Sequence, residues 1–232
     1  MIFCSNIRRG ACAVLVFLAA ATAVDAEEKS NLVQHVVMIH AETVPPGVAK
    51  YFPAIVVAAT ESKSTLVSSS WGAVPFPIGA KGRAIDSIHL LGSNQPVTIL
   101  KYDENAGVAV FTVDVPLKPW PIDQLSTDLN VGDEPEELIL KNSQYKPVKN
   151  NRHRVTKIRT ELPGKTADGK ETKVKDTIVF DGGTSGNSGS LLLKDGKLAA
   201  VFLNNSVPNG VLKHHALPAR LFLARFKSLM SD

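Results

Sequence analysis

The apolar positions of this chain come in short runs, not in long amphipathic stripes. Residues 54–59 (AIVVAA) and 64–68 (STLVS) are apolar or β-branched, and polar Thr60, Glu61, Ser62 and Lys63 separate them, which predicts a hairpin. Residues 85–91 (IDSIHLL), 95–102 (QPVTILKY) and 108–113 (VAVFTV) predict further strands, as do 138–140 and 154–159 (RVTKIR). The runs at 177–180, 190–193, 198–204 and 211–215 complete the series, and Asp195-Gly196 is a tight-turn signal between two of them. Helical spacing is clearest at 217–231, where Leu221, Phe222, Phe226, Leu229 and Met230 recur and Pro218 fits the first turn. Residues 32–44 fit a strand or a helix. Many short strands with regular turns predict an all-β barrel or sandwich, and no repeat of solenoid period is present. The Pro- and Asp-rich stretch 116–135 reads as a connector between two halves, and 161–175 (ELPGKTADGKETKVK) as a polar loop or hairpin tip.

The N-terminus changes the picture of where the chain works. Arg8 and Arg9 precede an apolar run at 11–23 that is short for a bilayer span, and Val24, Asp25 and Ala26 offer small residues at cleavage spacing. This predicts a secretory signal peptide over 1–26, with a retained N-terminal anchor as the weaker reading, hence export to the periplasm or beyond, with 27–232 as the mature domain. Both cysteines, Cys4 and Cys12, fall in that segment, so the mature part is expected to hold no disulfide and no cysteine metal site. The formal charge of +4 is interspersed, which gives no nucleic-acid footprint, and no membrane span is expected after the signal.

The stretch that carries chemistry is 180–201 (FDGGTSGNSGSLLLKDGKLAAV), where Ser188 stands between small residues in a glycine-rich turn before an apolar strand. With Asn105-Ala106-Gly107-Val108-Ala109-Val110 before it, Asn130-Val131-Gly132-Asp133 in the middle, and Ala216-Leu217-Pro218 ahead of the final helix, the order of motifs resembles the chymotrypsin/trypsin-like serine proteases. The similarity is to their disulfide-free bacterial branch, the Deg or high-temperature-requirement proteases, and runs from about Phe52 to the last helix. It implies two six-stranded Greek-key β-barrels and a C-terminal α-helix. On that basis the first barrel is expected at about 45–115, the connector at 116–135, the second barrel at 136–215 and the helix at 216–232. No PDZ-like domain is expected after the barrels.

The resemblance also says which residues ought to act. A serine hydroxyl needs a histidine to take its proton and an aspartate to orient that histidine. The histidine position falls on Trp71 and the aspartate position on Gly107. Asp103 matches a non-catalytic aspartate four residues upstream. His40, His89, Asp86 and Asp114 are off register for a rewired relay. Ser188 therefore reads as a nucleophile position without its base. The backbone N–H groups of Gly186 and Ser188 would still form an oxyanion-hole-like pocket. The expectation is a pseudoprotease that binds a peptide or protein, with two rivals: an active serine endopeptidase using Ser188 and a non-standard base, and a structural subunit of an envelope assembly.

The remaining histidines point elsewhere. His214 and His215 are adjacent on a strand and face opposite ways, so packing is favoured over a metal, and neither metal nor cofactor is expected. His153 lies in a basic stretch, 149–154, that together with 161–175 offers loops for partner contact. Trp71 in the histidine position would give the cleft an apolar floor.

Overall fold

The computed structural model describes residues 34–44, 50–70, 84–121, 128–141, 144–148, 154–165, 170–181 and 188–231. The first sheet contains β1 (Val36–Val44), β2 (Lys50–Ala59), β3 (Ser64–Ser69), β4 (Ala84–Leu90), β5 (Val97–Asp103) and β6 (Val108–Val113). The second contains β7 (Glu136–Lys141), β8 (Gln144–Val148), β9 (Arg154–Lys165), β10 (Glu171–Asp181), β11 (Leu191–Lys194), β12 (Lys197–Ser206) and β13 (Lys213–Pro218). Helix α1 (Ala219–Ser231) follows. The strand orders are β4-β1-β2-β3-β6-β5 and β8-β7-β11-β12-β13-β10-β9. This is the expected all-β architecture of two units and a C-terminal helix.

Each sheet curls on itself. An antiparallel bridge between His89 and Pro96 joins β4 to the start of β5. In the second sheet the Gly132 N–H donates to the Val155 carbonyl at 2.8 Å, and the Val155 N–H donates to the Asp133 carbonyl at 2.9 Å, tying the start of β9 to the segment ahead of β7. Edge strand β8 carries Pro147, which an edge tolerates because proline donates no ladder bond.

Burial explains why the strands read as unbroken apolar runs. Along β6, Ala109, Phe111 and Val113 point into the first barrel, where Ile39, Phe52, Ala54, Val56 and Leu66 meet them. The alternate residues Val108 and Val110 point the other way, into a cluster shared with Leu191, Leu193, Val201, Leu203 and Leu217 of the second sheet. Side chains alternate along a strand, so a strand sandwiched between a barrel interior and the junction of two barrels must be apolar on both faces. Helix α1 closes the junction with Ala219, Phe222 and Leu223.

Four expectations are adjusted. Residues 36–44 are a strand of the first sheet, ahead of the boundary at 45. The helix starts at Ala219, because 217–218 still pair in β13 with Val201 and Ala200. Residues 144–148 add a strand, making the second sheet seven-stranded. Much of 161–175 forms the arms of a long β9–β10 hairpin, with Leu162 paired to Val174.

Candidate functional site

Strands β3 and β6 run antiparallel with Ser69 opposite Val108. One residue further, the Ser70 N–H donates to the Gly107 carbonyl at 3.2 Å. The residue just before the expected histidine position therefore stands beside the expected aspartate position, at one end of the first barrel. Trp71 itself lies outside the described residues, as does Gly186. Ser188 is half-buried in the turn that enters β11. Gly189 beside it has φ +92°, and a Cβ there would lie 2.8 Å from Ser68 Oγ and 3.1 Å from the Pro53 carbonyl oxygen. The serine turn thus rests on β2 and β3. The junction brings the Ser188 turn, the end of β3 and Gly107 into one neighbourhood.

Gly107 is buried, with φ +75°. A Cβ on it would meet Leu217 Cδ1 at 3.1 Å, Val174 Cγ1 at 3.3 Å and Leu203 Cδ2 at 3.4 Å. Three hydrocarbon groups from β13, β10 and β12 close the space where an orienting carboxylate would project. None of these three groups can donate a hydrogen bond to a carboxylate. Asp103, four residues upstream, is engaged with its own turn. Its Oδ1 accepts the N–H groups of Asn105 at 2.8 Å and Ala106 at 3.1 Å. Its backbone carbonyl accepts from the Gly107 N–H at 3.0 Å. Asp114 is exposed and lies 3.7 Å from Lys63. The side chain of Asp86 lies outside the described residues.

Five of the six histidines are described, and each has other company. His35 bonds the Lys118 carbonyl at 3.0 Å and sits edge-on to Trp120. His40 Nδ1 is 2.9 Å from His89 Nε2, and the His40 ring stacks on Tyr51. His214 Nδ1 bonds Asn205 Oδ1 at 2.7 Å. His215 bonds Thr177 Oγ1 at 3.1 Å and Ser206 Oγ at 2.8 Å. Burial, reinforced by the Lys213 charge and then by His214, lowers the His215 pKa from 6.5 to about 4. Among the described residues no side chain bonds the Ser188 hydroxyl. No group of three or more metal-ligating side chains occurs among them either.

No known family's sequence pattern matches the chain, and no curated protein is similar to it in sequence. Solved structures are similar in shape. The Rv3671c protease of M. tuberculosis in its active form superposes with a TM-score of 0.60 at 15% identity, over 87% of this chain and 83% of that one. The MamO protease domain of Magnetospirillum magneticum gives 0.54 at 12% identity, over 83% and 96%. The fold is the trypsin-like one. An HtrA-type protease, AlgW, solved with a tripeptide, gives 0.56 at 16% identity over 88% of this chain, which spans 62% of AlgW. Identities this low carry the trypsin-like fold and nothing about activity.

Two contributors to the site escaped the sequence reading. One is the lining of the aspartate position by Leu203 and Val174, which come from strands far along the chain. Its only sequence trace is the non-alternating run 198–203 (LAAVFL), the mark of a strand buried on both faces. The other is the buried run Ser68–Ser69–Ser70 at the end of β3, where Ser68 Oγ donates to the Pro53 carbonyl at 2.6 Å. Serines in a strand end read as surface, and only the register with β2 and β6 places them inside.

Proposed function

We propose that this chain is an exported trypsin-like-fold domain without proteolytic activity that binds a peptide or protein segment. The observation that carries this reading is the closed aspartate position. Gly107 has no side chain, its φ is +75°, and Leu217, Val174 and Leu203 crowd the place where one would start. Removing members of a serine–histidine–aspartate relay lowers turnover by roughly 10⁴- to 10⁶-fold. The serine turn outlives the relay as a shaped backbone, held by the Gly189 N–H bond to the Phe202 carbonyl at 2.7 Å. Such a turn can accept a carbonyl or carboxylate group without cleaving a bond. An extended segment is the ligand class that a strand edge beside such a turn accepts, through backbone hydrogen bonds.

The test is labelling of the purified mature protein with a fluorophosphonate, with Ser188→Ala as control. The expected result is no Ser188-dependent label on folded protein. Labelling that disappears in Ser188→Ala, at a protease-like rate, overturns the reading and favours an endopeptidase with a non-standard base. Export is checked separately: N-terminal sequencing of protein recovered from the cell envelope or medium is expected to begin at Glu27.

A further inference from the structure

A cavity of about 470 Å³ opens on the second sheet, and neither Ser188 nor Gly189 is among its lining residues. Strands β9, β10, β12 and β13 build it. Lys157, Val179 and His215 lie in one cross-strand row, because Val179 pairs with Lys157 on one side and His215 on the other. Lys213 lies two residues from His215 on β13, opposite Ser206. Val179, Pro163, Val207 and Pro208 supply apolar wall. The volume falls within the usual range for small-ligand sites.

The polar floor of this cavity is internally satisfied. The Thr160 hydroxyl donates its single proton to the Thr177 carbonyl at 3.2 Å. The Thr177 hydroxyl lies 2.9 Å from Thr160 Oγ1 and 3.1 Å from His215 Nδ1. His215 Nε2 is 2.8 Å from Ser206 Oγ, so both ring nitrogens have partners. Ser206, His215, Thr177 and Thr160 thus form one hydrogen-bonded chain, and the imidazole is neutral at pH 7. Lys157 and Lys213 also line the cavity, and neither has a carboxylate partner among the described residues. Glu161, also on the lining, is held by Lys173 at 3.0 Å. The rim is apolar: Val207 is 61% exposed, and Ile158, Val211 and Leu212 are exposed in adjoining segments.

We infer that this cavity binds a small apolar monocarboxylate, with the carboxylate between Lys157 and Lys213 and the hydrocarbon body on Val179, Pro163, Val207 and Pro208. Two cations with no carboxylate partner among the described residues, beside a neutral floor, select an anion. The apolar wall and rim select a hydrocarbon tail over a hydrophilic anion such as phosphate. Ser188 is not among the lining residues and the proposal uses no catalytic group, so it stands or falls independently of the inactive-protease reading.

The test is calorimetric titration of the purified mature protein with octanoate, beside octanamide as the uncharged isostere. Saturable octanoate binding is expected, with octanamide at least ten-fold weaker, and Lys157→Ala and Lys213→Ala each weakening octanoate on the order of ten-fold. Lys118→Ala, at a lysine bonded to Gln34 elsewhere on the surface, is expected to bind as the parent does. Equal binding of octanoate and octanamide, or loss in Lys118→Ala equal to that in the cavity variants, overturns the proposal. So does the absence of saturable octanoate binding to folded protein. A second arm titrates a short peptide ending in valine, as free acid and as amide. Tight binding of the free-acid peptide with none of octanoate overturns the small-molecule assignment and gives the carboxylate site to a chain terminus.

Discussion

At the scale of single residues, Gly107 decides most. Its φ of +75° is a conformation in which a side chain is strained, and its surroundings are hydrocarbon. Gly107→Asp therefore does not rebuild a relay. It adds a Cβ against Leu217 and an unpaired carboxylate to an apolar junction. The expected cost is several kcal/mol of stability, on the order of 3–5, read as a fall in urea midpoint, with no gain in peptide hydrolysis. A stable Gly107→Asp protein that cleaves peptides would contradict the account of the site. His215 gives a pH prediction. Its pKa is 6.5 when the chain is unfolded and about 4 when folded, so between those values the unfolded chain holds more protons. Stability from this group is thus present above about pH 6.5 and is lost as pH falls towards 4. Between pH 7 and 4.5 the loss is about 2 kcal/mol. His215→Gln, which keeps polar atoms but cannot ionise, is expected to show a correspondingly smaller loss in urea titrations at the two pH values.

At the scale of elements, the strands were largely legible and their ends were not. Runs such as 108–113 sit within β6 as read, because apolar residues on both faces leave a strand little choice. The hairpin turn at Asp195-Gly196 was equally plain, with Asp195 at φ +52° and Gly196 at +74°. What the sequence hid was the reach of the β9–β10 arms. Residues 161–175 are rich in Lys, Glu and Gly and look like a loop, yet Leu162 and Val174 are fully buried within them. Two apolar residues in a polar stretch carry the packing, within a cluster drawn from both barrels. Asp133 shows how a motif residue fixes an element. Its Oδ2 accepts from the Asn130 N–H at 2.7 Å and from Lys194 Nζ at 2.8 Å, joining the segment before β7 to the end of β11. The Asn130 bond first, and then Lys194, hold the carboxyl below its ordinary pKa. Asp133→Asn is expected to cost about 1 kcal/mol at neutral pH and less as pH falls through the carboxylate range, since the parent loses its charged acceptor there. Thermal melts at pH 7 and pH 3.5 check both parts.

At the scale of the whole molecule, the question is how two barrels keep one cleft in register when no disulfide joins the described residues. The apolar junction supplies cohesion, but hydrocarbon contacts do not by themselves set the position of the serine turn. The Gly189–Ser68–Pro53 contact does. Ser68 Oγ is fixed by its bond to the Pro53 carbonyl, and Gly189 packs against both at a φ only glycine adopts without strain. Gly189→Ala forces a methyl group to 2.8 Å from Ser68 Oγ, and either the turn or β3 must shift. The expected cost is on the order of 2–3 kcal/mol, from backbone strain and overpacking together. Ser68→Ala alone loses the bond to Pro53, at about 1 kcal/mol. Combined with Gly189→Ala it removes the atom that clashes, so the two losses should sum to more than the double variant shows, with coupling of about 1 kcal/mol. Strict additivity in denaturant midpoints would mean that the serine turn is positioned by something other than β3. A coupling of that size would place the register of the cleft on three residues, Pro53, Ser68 and Gly189, contributed by both halves of the fold.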